Sequence, residues 1–132
     1  MKYFLMCCHD QKTFEELPKH EEDAIIKETM MYCESLRTEG TLISSEALDP
    51  TEAATAVRVR NGKTLTTDGP FAETKEQFGG FFLIETRDFN EAIRVASKFP
   101  SARIGSIVIR PVLDLEKRVA DSPKLAGSQT RS

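Results

Sequence analysis

Apolar residues recur along this chain at two spacings, one typical of strands and one typical of helices. Residues 2–8 form an apolar segment of strand length that ends at the polar pair His9-Asp10, which we assign to a loop. This segment is predicted to be a central strand. In all, strands are predicted over residues 2–8, 41–45, 55–60, 63–67, 81–86 and 104–112.

Two helices are predicted between these strands. The first covers residues 19–38, is acidic in its first turns, where the helix dipole favours anions, and stops before Gly40. The second opens at Asp88, which has N-cap spacing to Glu91, and is stopped by Pro100. The residues predicted to face inward are Ile26, Met30, Cys33 and Leu36 in the first helix, and Ala92, Val95, Ala96 and Phe99 in the second.

The dipeptide Asn61-Gly62 predicts a tight hairpin, because both residues tolerate the positive φ of a type I′ turn. The element order is therefore β-α-β, a hairpin, and β-α-β. This order predicts an α+β fold, a ferredoxin-like split βαβ sandwich with an inserted β-hairpin. Two helices cover only one face of such a sheet, and a large apolar face is rarely left in water, so we expect a homodimer that pairs sheet against sheet.

Composition narrows the class of protein further. The chain has 132 residues, a formal net charge of -3 and 39% hydrophobic residues, which suits one ordinary globular domain. Its apolar runs fall well short of the roughly 18 residues of a membrane span. Its N-terminus lacks the basic and apolar regions of a signal peptide. We therefore expect a cytoplasmic protein with no membrane contact, and the acidic balance argues against nucleic acid as a ligand of the folded domain.

The C-terminal residues differ from the rest in charge. Residues 117–132 contain four basic residues and one acidic residue, so they carry +3 and leave -6 on the first 116 residues. This segment also lacks aromatic residues. We predict a folded domain over residues 1–113 and a largely disordered tail over residues 114–132. A solvated tail and a basic interaction arm are the two interpretations of this segment.

Three cysteines, Cys7, Cys8 and Cys33, make a poor disulfide framework, because their number is odd and two are adjacent. We expect buried free thiols. His9-Asp10 is a weak candidate for a metal-binding or proton-transfer pair, since two residues without a third ligand rarely hold a metal, and a loop is the preferred assignment. No metal and no cofactor is predicted, because the sequence contains no zinc pattern and no glycine-rich phosphate loop.

Residues 68–85 are the most distinctive segment, reading Asp-Gly-Pro-Phe-Ala-Glu-Thr-Lys-Glu-Gln-Phe-Gly-Gly-Phe-Phe-Leu-Ile-Glu. With the opening residues 1–6 and the Arg-x-Arg-Asn-Gly-Lys hairpin at residues 58–63, this segment resembles the DGPF branch of the YCII-related family over residues 1–113. The resemblance implies a ferredoxin-like α+β domain that dimerises as an α+β barrel. It also implies a link to transcription, since DGPF-type domains are sometimes associated with alternative sigma factors.

In shorter YCII-like proteins, a His at the start of the first helix and an Asp after the second helix are suspected to form an acid/base pair. His20 stands at the first of these places in this chain. Phe99 and Pro100 occupy the second, so the pair is incomplete. The resemblance therefore points to His20 alone as a candidate proton-transfer group.

Asp68 is the main candidate from the residues themselves. One interpretation is that its side chain caps the turn of the Asp-Gly-Pro segment. The other is that it is a carboxylate in a cleft, tuned for acid/base chemistry with His20.

Four further residues are candidates for ligand binding. The guanidinium of Arg58 suits a carboxylate or phosphate group, and Lys75 would attract the same anion. A solvated hairpin face, or pairing of Arg58 with Asp68 or Glu73, is the alternative. Glu73 shares a face with Lys75 if the segment is extended. Gly79 marks either a β-bulge or a place where a ligand or another backbone comes close.

The leading hypothesis is a dimeric domain that binds a small anionic molecule through Arg58, Glu73, Lys75 and Gly79. In its catalytic form, it would use Asp68 and His20 as acid and base. The alternative is a non-catalytic regulatory or interaction module that acts with the transcription machinery through the basic tail.

Overall fold

The computed structural model describes residues 1–69 and 76–121. It shows an α+β domain with a four-stranded antiparallel sheet and a separate two-stranded hairpin. The strands are β1 (Lys2–His9), β2 (Leu42–Ala47), β3 (Thr55–Arg60), β4 (Lys63–Asp68), β5 (Gln77–Glu85) and β6 (Ser106–Pro111). The helices are α1 (Gln11–Glu15), α2 (Lys19–Thr38), α3 (Phe89–Ser97), α4 (Ser101–Ile104) and α5 (Leu115–Ala120), with a 3-10 turn over Thr51–Ala53.

The main sheet has the strand order β2-β5-β1-β6, and each neighbouring pair is antiparallel. Strand β5 therefore separates β1 from β2, the two strands that α2 connects. This is the strand order of a split βαβ, ferredoxin-like sandwich, with the β3–β4 hairpin inserted between β2 and β5. The predicted α+β class is confirmed.

Local sequence signals placed several boundaries correctly. Helix α2 has the predicted range, and Gly40 behind it has a φ of 83°. Asn61 and Gly62 have φ values of 52° and 76°, as a type I′ turn requires. Asp88 caps α3 by accepting a hydrogen bond from the Glu91 backbone N–H at 2.8 Å. These predictions are confirmed. Each could be made from the sequence because the backbone there is determined by residues that are neighbours in the chain.

Other boundaries differ from the prediction. His9 belongs to β1, so its assignment to a loop is wrong. Strand β5 begins at Gln77, four residues earlier than predicted. The last strand begins later than predicted, because residues 101–104 form the short helix α4.

The predicted tail begins with helix α5. Asp114 caps this helix by accepting a hydrogen bond from the Lys117 backbone N–H at 3.0 Å. All its residues are exposed, and residues 122–132 lie outside the described part of the chain. No helix within the described ranges is long and apolar enough to cross a membrane.

The core lies between one face of the main sheet and helices α2 and α3. Its buried residues are Tyr3, Leu5, Cys7, Cys33, Leu36, Leu42, Phe82, Ile84, Ala92, Ala96 and Phe99. The predicted inward stripe of α3 is confirmed, whereas that of α2 is only half correct. Cys33 and Leu36 are buried, but Ile26 and Met30 are 43% and 65% exposed. At Ile26 and Met30, helix α2 therefore borders a cleft rather than the core.

The opposite face of the sheet carries a second apolar group. Phe4 on β1 stacks on Phe81 of β5, with ring centroids 5.1 Å apart. Met6 and Leu83 are partly exposed on the same face, and Val108 on β6 is 45% exposed. We call Phe4, Met6, Phe81, Leu83 and Val108 the open face. Its exposure agrees with the expectation that two helices cover only one side of the sheet.

Candidate binding cleft

A cleft of about 660 Å³ lies between α2, from Glu22 to Arg37, and the edge of the sheet. Its lining is mainly apolar, with Ile25, Ile26 and Met30 from α2, Phe82 from β5 and Ile104 from α4. Small-molecule sites typically enclose about 300–1,000 Å³ and are mostly apolar with a few polar groups. The size and lining of this cleft fit that class of site.

His9 lines the cleft from the last position of β1. Its imidazole packs edge-on against Phe14, with ring centroids 5.2 Å apart. Burial lowers the pKa of His9, and the nearby carboxylates of Asp10 and Glu76 oppose this effect only in part. The imidazole is therefore neutral at pH 7, in the form that accepts a proton.

Two glycines leave the space that His9 occupies. A Cβ on Gly79 would lie 2.5 Å from Cε1 of His9, and a Cβ on Gly105 would lie 2.9 Å from the Cβ of His9. Gly79 also sits at a β-bulge, since Cys7 pairs with Gly80 and Cys8 pairs with the residue before Gly79. Gly79 therefore has the predicted bulge, and the group that comes close to it is the His9 side chain rather than a ligand or another backbone.

Acidic residues dominate the charged part of the cleft. Within the described residues, the charged side chains of the lining are Glu15, Glu22, Glu34, Arg37 and Asp49. The Glu46 side chain is not among them, because Glu46 pairs with Phe81 on the open face. We call these five residues the rim. Four are acidic and one is basic, so the rim is negatively charged while His9 is neutral. Its basic residue, Arg37, is paired with Glu34 at 3.2 Å, so the rim alone does not supply the cations that an anionic ligand would need.

Two free cysteines, Cys7 and Cys33, also line the cleft. Burial raises the pKa of Cys7 to about 11 and raises the pKa of Cys33 as well. Both groups are therefore protonated thiols at neutral pH, which are poor nucleophiles. The prediction of buried free thiols is confirmed for these two residues, whereas Cys8 is partly exposed. In the described ranges, no three His, Cys, Asp or Glu residues form a cluster suited to a metal ion.

Asp68 lies at the end of β4, away from the cleft. Its side chain is exposed, and its Oδ1 accepts a hydrogen bond from Oγ1 of Thr55 at 3.0 Å. Thr55 is directly opposite Asp68 in the hairpin, and the Gly69 N–H continues the ladder to the carbonyl of Ala54 at 2.6 Å. In this arrangement, Asp68 fastens the open end of the hairpin.

The other predicted site residues are spread over different elements. His20 is exposed at the start of α2, and Arg58 is exposed on β3. Asp68 and His20 are both described, and no hydrogen bond or ion pair links them. Glu73 and Lys75 lie outside the described residues. Of the predicted residues that are described, Gly79 is the one that lines the cleft.

Sequence reasoning treated His9 only as a weak metal-binding or proton-transfer candidate in a loop, although one further signal places it in the cleft. Side chains at alternate positions of a strand share a face. Tyr3, Leu5 and Cys7 are buried on the helix side of β1, and His9 has the same parity. Continuing that alternation by one step assigns His9 to the helix side of the sheet, where the cleft lies.

The lowered pKa of His9 predicts a specific pH dependence of stability. Between this pKa and the ordinary value of 6.5, the unfolded chain binds more protons than the folded chain. The free energy of unfolding should therefore fall as the pH drops through this window and level off below it. We expect His9→Gln to remove this part of the decrease, measured by urea unfolding at several pH values from 7.5 to 5. The matched variant His20→Gln should keep it, and an unchanged decrease in His9→Gln would contradict the assignment.

Comparisons with known proteins match most of the chain. A family model described as the YCII-related domain matches residues 1–116. An uncharacterised protein of Rhizobium meliloti (strain 1021) is 33% identical over 114 residues, which span 85% of this chain and 92% of that relative. The main sheet, the cleft and His9 all lie within the residues that the family model matches.

Proposed function

This chain belongs to the YCII-related family, and we propose that it is a homodimeric domain that binds a small molecule in the cleft beside His9. One observation carries the proposal. The cleft combines an apolar lining with a single neutral imidazole, and Gly79 leaves room for that imidazole. Such a combination suits a ligand with an apolar body and one polar group that exchanges a proton or a hydrogen bond with His9.

We propose His9 as the acid/base group of this site. A neutral imidazole accepts a proton from a bound molecule and can return it later. The imidazolium so formed is favoured by the charges of Asp10 and Glu76, both of which raise the pKa of His9. Asp68 and His20, which were predicted for this role, lie outside the cleft. Their catalytic role stays a prediction that depends on a different site.

The charge of the ligand that the cleft favours depends on whether cationic residues from elsewhere join the rim. An anion, as predicted from Arg58 and Lys75, needs cations that the rim does not provide. With the rim alone, a ligand whose polar group is neutral or positively charged is favoured, because four of its five charged residues are acidic.

The open face supports the homodimer in this proposal, in the form of a dimeric α+β barrel. Apolar patches of this kind on a sheet usually mark a protein contact. A second copy related by a two-fold axis would present the same side chains, so Phe4 and Phe81 of both copies would meet in one apolar layer. Membership of the DGPF branch, which rests on residues 68–85, is part of the same proposal.

Placing a bulky side chain in the cleft tests whether the cleft binds small molecules. Met30 lines the cleft, whereas the adjacent Met31 is 74% exposed and is not part of the lining. Small apolar fragments should shift the NMR signals of His9 in the natural protein. Met30→Trp should weaken this binding at least about tenfold, since the indole takes up space the fragment needs, and Met31→Trp should leave it unchanged.

Two outcomes would contradict the proposal. If no fragment shifts the His9 signals, the cleft is not a binding site for molecules of this kind. If both tryptophan variants bind as the natural protein does, the fragments bind elsewhere. The alternative function, an interaction module that uses the basic tail, predicts that partner binding is the same in both variants.

A further inference from the structure

Strands β3 and β4 and the turn between them form a hairpin that we call the arm. The rest of the chain buries almost none of the arm. Every residue of the two strands is exposed except the partly exposed Ala56. Val57 and Val59 are 63% and 60% exposed. A two-stranded hairpin is marginally stable in water, and β-branched side chains usually stabilise strands by packing. The arm therefore has the features of an element that is completed by another surface.

The strand register divides the arm into two different faces. Arg58 lies opposite Leu65, and Arg60 lies opposite Lys63, so these residues share one face. That basic face carries three positive charges and no acidic residue within the arm. Val57 and Val59 lie opposite threonines on the other face, which is apolar and uncharged along most of its length.

The rim of the cleft has the opposite charge to the basic face, and the arm starts close to it. Strand β2, which leads into the arm, ends at Ala47 opposite Gly80, and both residues line the cleft. Gln11 fixes the base of the arm. Its Nε2 donates to Glu52 at 2.9 Å, and its Oε1 accepts from the Thr51 N–H at 3.0 Å. With its base held in this way, the arm remains exposed in its own chain and does not cover its own rim.

We propose that the arm of one copy lies across the rim of a second copy, with Arg58, Arg60 and Lys63 facing the acidic residues of that rim. This inference rests on the homodimer of the proposed function. It makes each cleft a composite of two copies, in which the arm of the second copy supplies the positive charges that the rim lacks. Arg58 would then reach a ligand as predicted, but from the neighbouring copy.

Crosslinking between copies tests the contact directly. The photoreactive residue p-benzoylphenylalanine would replace Leu65 on the basic face or, as the matched control, Val57 on the other face. Each protein is prepared as a mixture of ¹⁴N and ¹⁵N chains, so that mass spectrometry separates crosslinks between copies from those within one chain. The Leu65 probe should link light chains to heavy chains at α2 or β2. The Val57 probe should give far fewer links at those elements.

A charge exchange tests the same contact by affinity. Arg58→Glu/Arg60→Glu should weaken the homodimer about tenfold at low salt, because attractive pairs become repulsive ones. Glu22→Arg/Asp49→Arg should weaken it similarly. An equimolar mixture of the two variants should form a heterodimer about as tight as the natural dimer, since both arm and rim contacts then pair opposite charges. The control Arg94→Glu/Lys98→Glu, in α3 and at its C-cap, should not change the dimer.

The outcomes separate this inference from the proposed function. If the natural protein is a dimer, but the Leu65 probe gives no links between copies at α2 or β2 and the two charge variants show no preference for each other, the arm contact is wrong and the dimer stands. If the natural protein is a monomer at all concentrations, both the arm contact and the homodimer are wrong. Circular dichroism checks that the charge variants are folded. If they are not, the crosslinking experiment alone tests whether the arm contacts a second copy.

Discussion

Replacing Phe4 by Glu should convert the homodimer into monomers. Phe4 lies on the open face, stacked on Phe81 and in edge contact with Phe78. In a dimer that pairs these faces, the new carboxylate would be buried without a partner, and the two-fold axis places it there twice. Transferring a carboxylate from water into the interface without a partner costs several kcal/mol. The dissociation constant of the dimer should therefore rise roughly 1000-fold or more. Analytical ultracentrifugation over a range of concentrations measures it.

A matched variant distinguishes the open face from other exposed apolar positions. Ile93 lies on α3 and is 44% exposed, close to the 45% of Val108 on the open face. Ile93→Glu should leave the dimer intact, whereas Val108→Glu should dissociate it as Phe4→Glu does. Val108→Glu also keeps the test valid if Phe4→Glu fails to fold. The Val108 side chain is already half exposed in one copy, so a charge there disturbs the fold of the monomer less. A natural protein that is a compact monomer, or a Phe4→Glu variant that stays dimeric, would refute the sheet-to-sheet dimer.

Helix α2 shows how far a sequence pattern can predict packing. Helical spacing correctly places Ile26, Met30, Cys33 and Leu36 along one side of the helix. Only Cys33 and Leu36 have the sheet beneath them, so only these two are buried. Whether a sheet extends under a given turn depends on the distance between elements, which residue spacing does not encode. The same gap leaves the cleft open beside Ile26 and Met30, so the cleft could not be predicted from the pattern.

The hairpin and His9 mark the two extremes of what could be predicted. Asn61 and Gly62 determine their turn by local backbone preference, so its position was predictable to the residue. The place of His9 depends on two glycines that are distant in sequence: Gly79 leaves room for its ring, and Gly105 leaves room for its Cα and Cβ. Contacts between distant residues of this kind are set by the fold as a whole. This is why Asp68, in a conspicuous local segment, was a stronger candidate than His9.

Replacing Phe99 by Ala should produce the largest loss of stability. Phe99 is fully buried, stacks on Phe82 at 3.9 Å and contacts the edge of Tyr32 at 4.6 Å between ring centroids. Deleting a buried Phe side chain typically costs about 3–5 kcal/mol, because apolar burial is lost and a cavity remains. That is a large part of the roughly 5–15 kcal/mol that stabilises a domain. Urea unfolding measures the loss as a lower midpoint.

The effect of this substitution should also reach the cleft. Phe82, which stacks on Phe99, is part of the cleft wall, and Tyr32 joins α2 to α3 by donating a hydrogen bond to the carbonyl of Val95 at 2.8 Å. We therefore expect Phe99→Ala to weaken fragment binding at His9 even where the chain is still folded. Phe89→Ala removes the same atoms from a side chain that is 45% exposed, so it should cost about 1 kcal/mol or less and leave binding unchanged. If Phe99→Ala does not fold, Phe99→Leu keeps most of the volume and should show a smaller loss of the same kind. If Phe89→Ala and Phe99→Ala weaken fragment binding equally, the stacked rings of Phe82 and Phe99 do not couple the core to the cleft.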